Sequence, residues 1–127
     1  MSERDRNPGD TGDSVSKSDD LARQFQNALG ALRDLDEALR LEPGFAEAYF
    51  NRSLVRLKRE EPSEAFDDLA QAIRLRPSWT APYVLRAQVR AQRRDRKGAR
   101  EDARRALDLG AGPQDRRELD ALHLDDE

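Results

Sequence analysis

Apolar residues recur along the first third of the chain in steps of four and three. Leu21, Phe25, Ala28, Leu32, Leu35 and Leu39 form one stripe on a helix from about Asp19 to Leu41, where Pro43 stops propagation and Gly44 can take the left-handed conformation. The same alternation predicts four further helices. Ala46 to about Arg59 carries Tyr49, Phe50, Leu54, Val55 and Leu57, and Pro62, tolerated in a first helical turn, opens a helix to Leu75. Ser78 or Thr80 opens a helix to about Arg94; after a turn over Asp95–Gly98, Ala99 to Leu109 forms the next. Pro113 then opens a short segment with Leu119, Leu122 and Leu124, long enough to cap an exposed end of the stack.

These helices repeat one plan with a period of 34 residues. Ala31, Ala65 and Ala99 share a phase, as do Ala38, Ala72 and Ala106, Asp34, Asp68 and Asp102, and Leu39, Ile73 and Leu107. A period of this length marks an array of small supersecondary units, each burying its apolar face against its neighbours. The expected fold is all-α: a short α-solenoid of two and a half to three helix-turn-helix units over 18–112, with a degenerate unit at 18–45 and full units at 46–79 and 80–112. A capping helix and acidic tail occupy 113–127. Residues 1–17 hold almost nothing apolar and are expected to form a disordered acidic arm.

Residues 46–79, AEAYFNRSLVRLKREEPSEAFDDLAQAIRLRPSW, resemble a tetratricopeptide repeat (TPR). Tyr49 takes the early aromatic place, Ser53 the small-residue place where the two helices approach, Ala65 and Ala72 the alanine places, Leu69 the large apolar place and Pro77 the closing proline. Residues 80–113 follow in phase, with Ala111 replacing the proline. The first unit departs furthest: its second helix is in phase, but no turn residue stands between Phe25 and Gly30. Heptad spacing across Gly30 favours one continuous helix over a break near Asn27. Self-association through Leu21, Phe25 and Ala28 would then cover the exposed end.

Arg52 and Arg86 stand where the repeat pattern has leucine, and Arg56 and Arg90 where it has tyrosine. Asp68 and Asp102 recur in phase with the first pair. Arg52 and Arg86 are therefore expected to make structural, bidentate ion pairs with an aspartate on a facing helix, Asp68 and Asp102 in their own unit or Asp34 in the unit before Arg52.

The resemblance implies noncatalytic protein recognition, as an adaptor or scaffold, in a concave groove lined by the first helices of successive units. In matching phase that groove comprises Glu47, Phe50, Asn51, Leu54, Leu57 and Lys58, then Ala81, Val84, Leu85, Gln88 and Gln92. Its apolar members suit an amphipathic helix or hydrophobic peptide. Chaperone-binding members of the family clamp an acidic C-terminus with lysines and asparagines. Only Asn51 agrees here; Ser16, Asp20, Ala81 and Leu85 do not, which disfavours heat-shock chaperone partners.

Charge adds an alternative. The 127-residue chain carries −3 overall, but the ends are acidic and residues 21–112 carry +4. Basic residues concentrate between Arg86 and Arg105, and Arg90, Arg93, Arg94, Arg96 and Lys97 offer a face for phosphates or an acidic partner. Without interleaved aromatics and with acidic neighbours at helical spacing, nucleic acid is the weaker reading. There is no cysteine and only one histidine, His123, so neither a cofactor nor a metal site nor an enzyme is expected. No apolar run is long enough to cross a bilayer, and no signal sequence opens the chain, so a cytoplasmic location is expected.

Overall fold

The computed structural model describes residues 17–124, with the side chains of residues 17–22, 24 and 25 left out. The expected arm lies outside the described residues except for Lys17, which is already helical, and the acidic tail at 125–127 lies outside as well. Among the described residues there are six helices and no strand: α1 (Lys17–Leu41), α2 (Ala46–Lys58), α3 (Pro62–Leu75), α4 (Thr80–Gln92), α5 (Arg96–Asp108) and α6 (Pro113–Asp120). Along the stack α2 packs on α1 and α3, α4 on α3 and α5, and α6 on α4.

α1 runs unbroken through Gly30, so the first unit shows no reversal of its own among the described residues. One glycine costs about 1 kcal/mol in a helix, too little to break a stripe that continues on both sides. The other two units reverse identically. Glu60 and Arg94, 34 residues apart, take left-handed φ values of 60° and 67°. The next amide then closes the helix end: Glu61 N–H donates to the Arg56 carbonyl and Asp95 N–H to the Arg90 carbonyl, each at 2.8 Å.

Two boundaries differ from expectation. α4 ends at Gln92, short of Arg94, and α5 begins at Arg96, ahead of Ala99. The cause is Asp95, whose carboxylate accepts the Gly98 N–H at 2.9 Å and so starts the helix at once. A Cβ at Gly98 would collide with that carboxylate and would also stand 3.0 Å from Arg90 Cδ, so this close approach requires glycine.

The interior follows the repeat phase. Ala65, Leu69 and Ala72 of α3 are at most 1% exposed, and Ala99, Ala103 and Ala106 of α5 at most 8%. Ser53 and Ala87, at the small-residue place of α2 and α4, are fully buried. The Ser53 hydroxyl is satisfied by donating to the Phe50 carbonyl at 2.6 Å. α6 starts 33 residues after α4 and takes the place of a next unit's first helix, with Leu119 and Leu124 joining Tyr83, Val84 and the α5 alanines in one cluster.

Candidate functional site

The expected groove is carried by α2 and α4, and the structure divides its members into two groups. Val84 is 3% exposed, inside the cluster with Leu119 and Leu124, and so cannot contact a partner. Its loss from the groove follows from α6. Gln88 is held there too, its amide donating to Glu118 Oε1 at 3.3 Å. The open group is Glu47, Asn51, Leu54, Lys58 and Gln92, all exposed, with Phe50, Leu57, Ala81 and Leu85 half-buried beside them. Leu54, 38% exposed, is one of the few large apolar side chains left in water.

Two residues absent from the expected groove shape its mouth. Trp79, which precedes α4, tilts its ring against Phe50 at 5.0 Å between centroids. The Arg76 guanidinium lies 4.5 Å over the Trp79 ring and reaches Glu47 Oε2 at 2.5 Å. Glu47, Arg76, Trp79 and Phe50 thus form a latch joining the first turn of α2 to the loop before α4. The Glu47 carboxyl is held below its usual range, first by its own backbone N–H and then by Arg76. The chain's single tryptophan, immediately before a helix and in phase with Phe45, was the available signal.

Behind the groove the arginines turn inward. Arg52 grips Asp68 through Nε at 3.1 Å and Nη2 at 2.8 Å, and Arg56 adds an Nε contact at 3.5 Å. Arg86 grips Asp102 through Nε and Nη2, both at 2.9 Å, and Arg90 adds Nη1 at 2.9 Å. Each buried aspartate is therefore held by two arginines one helical turn apart. Asp68 holds the Arg52 pKa above its already high ordinary value, and Arg52 stays charged. The partner of Arg52 in the preceding unit is Asp36, at 2.8 Å, and not Asp34. Asp34 lies on the other side of α1, the side that faces a unit's own first helix.

The basic face is largely committed. Arg90 serves Asp102 and lies 3.7 Å from Asp95, while Arg93 covers the Phe66 ring at 5.4 Å beside a depression of about 530 Å³. Arg96 donates to the His123 carbonyl at 2.9 Å. Arg94 and Lys97 are exposed. Of the expected self-association stripe only Ala28 has a described side chain, half-buried; those of Leu21 and Phe25 lie outside the described set. Among the described residues no cluster of His, Cys, Asp or Glu has metal-binding geometry, and no helix is long and apolar enough to cross a membrane.

A crystal structure of the P58(IPK) TPR domain matches this chain with a TM-score of 0.69 at 21% identity, over 84% of this chain and 33% of that one. The chain thus spans about a third of the length of that structure. No family model and no curated protein matches the sequence. The fold is that of a tetratricopeptide-repeat solenoid, as the 34-residue phase and the six helices require.

Proposed function

We propose that the chain is a noncatalytic recognition module, a cytoplasmic adaptor or scaffold, whose α2–α4 groove takes apolar side chains of an amphipathic helix or extended peptide. The observation that carries this reading is Leu54, 38% exposed one helical turn from half-buried Phe50 on α2. An exposed leucine beside a half-buried aromatic ring is a place that a partner's apolar anchor can cover. The Glu47–Arg76–Trp79 latch gives the groove a charged aromatic rim, which favours an entering peptide of mixed rather than purely apolar character. Ala81 and Leu85, where chaperone-binding repeats place polar clamp residues, argue against an acidic C-terminal carboxylate as the main anchor.

The test is a displayed-peptide selection followed by binding measurements on the wild type and Leu54→Glu. Leu54 is exposed, so this variant keeps its helical circular dichroism and stability within about 0.5 kcal/mol. Enriched peptides with apolar anchors that lose roughly tenfold or more in affinity for Leu54→Glu support the groove. Selected peptides that bind both proteins equally refute it.

A further inference from the structure

We propose that two copies of this chain associate through α1, crossing antiparallel about its midpoint at residue 29, so that residues 17–28 of each copy cover the Ala31, Leu35 and Ala38 stripe of the other. In the second and third units the corresponding places are sealed: Ala65, Leu69 and Ala72 lie under α2, and Ala99, Ala103 and Ala106 under α4. In α1 the same three places are only half-buried. Asp34 shows the same gap. It is exposed and makes no ion pair among the described residues, whereas Asp68 and Asp102, in its phase, are 2% and 3% exposed under two arginines each.

Among the described residues no antiparallel helix covers this stripe, and α1 carries a matching length of helix in the wrong place for its own use. α3 and α5 begin at residues 62 and 96, so the in-phase start in the first unit is residue 28. α1 begins at Lys17 instead. Its extra 11 residues, about 16 Å, approach the 13 residues of α2 or α4. They cannot fold back, because the place that reverses at Glu60 and Arg94 is Gln26 here, inside a continuous helix. A second copy resolves both problems at once, since extension and open stripe flank the midpoint of one helix and a two-fold axis there superposes each on the other's partner. A foreign helix would cover the stripe and leave the extension unpaired. The crossing point favours close approach, since Ala28 and Ala31 are both small.

The experiment is light-scattering mass against concentration on the full chain, with single cysteines added to a protein that has none. The expected mass is twice 14.5 kDa. Ala31→Arg should raise the dissociation constant roughly tenfold or more. Asn27→Cys, exposed and about 11 Å from its counterpart in this geometry, should crosslink to a dimer with a short bismaleimide, and Arg74→Cys on α3 should not. A single-chain mass at every concentration overturns the proposal. So does a dimer indifferent to Ala31→Arg or crosslinked through Arg74→Cys, or a single chain that assembles only on adding another protein's helix. Should Ala31→Arg fail to fold, the Asn27→Cys crosslink in the otherwise native chain decides.

Discussion

Asp68→Ala is the substitution that weighs the inward-turned arginines most directly. The Asp68 side chain is 2% exposed, between Arg52 at 18% and Arg56 at 23%. Alanine there leaves two guanidinium groups facing each other across a gap with no anion. Breaking a fully buried pair costs about 3–5 kcal/mol. Here both arginines keep about a fifth of their surface in water, and Arg52 retains Asp36, which reduces the expected loss to about 2–3 kcal/mol. For a domain of this size that lowers Tm by roughly 10 °C. The assay is urea and thermal unfolding followed by far-ultraviolet circular dichroism. The companion is the exposed Glu37–Arg40 pair, where Glu37→Ala should leave the midpoint unmoved because solvent already screens both groups. Replacing Arg52, Arg56 and Asp68 together with apolar residues of matched volume should recover most of the loss. If Asp68→Ala loses less than about 1 kcal/mol, the pair behaves as a surface contact and the reasoning fails.

Gly98→Ala should destabilise by about 1–3 kcal/mol, since the new methyl displaces the Asp95 cap and presses on Arg90; an unchanged urea midpoint would contradict the capping role. Glu60→Gly and Arg94→Gly should each stabilise by up to about 1 kcal/mol, by relieving a left-handed φ that disfavours a side chain, and a lower Tm in both would refute that assignment. The Glu47 carboxyl has a depressed folded-state pKa, so its contribution is complete above the ordinary glutamate value of about 4.3 and is lost as pH falls through the lower folded value. Fluorescence of Trp79, the only tryptophan, should therefore hold steady from neutral pH to about 4 and change below it; a midpoint above about 5 would contradict the latch. On heparin the chain should elute below about 0.15 M salt, because Arg86 and Arg90 are paired with Asp102 and Arg96 is held by the His123 carbonyl, and retention well beyond that would restore the nucleic-acid reading.

The 34-residue phase was legible because the residues that share it are the ones that seal one helix against the next. Ala65 and Ala99 must be small for the same geometric reason, and their period survives any change on the surface. The groove was less legible because a residue's exposure depends on elements outside its own repeat. Val84 and Phe50 occupy one phase, yet α6 buries the first while the second meets Trp79. Asp68 was found correctly, but the Arg52 contact in the preceding unit was misplaced by two residues for a related reason. Recurrence singled out Asp34, but recurrence reports the face toward a unit's own first helix, and Arg52 approaches α1 from the following unit, where Asp36 stands. At Asp95 the glycine three residues on was taken as part of the turn, although it is the cap's partner.

The arginines at the leucine and tyrosine places also explain how so polar a chain keeps its register. At 36% hydrophobic there is little apolar surface to decide which helix pairs with which, and alanine stripes alone would slide past one another at small cost. An arginine pair closing on one aspartate sixteen or twelve residues further on does not slide, because a shift by one turn strands three charges away from water. The outer faces of these guanidinium groups are covered by the unit's own aromatic residue, Arg52 at 5.5 Å from the Tyr49 ring and Arg86 at 5.8 Å from Tyr83, so the stems pack as apolar groups while the heads stay paired. Charge therefore fixes the pairing and alanine permits the close approach. Where the arginines are missing, in the first unit, the helix that should have been held is the one that runs on straight.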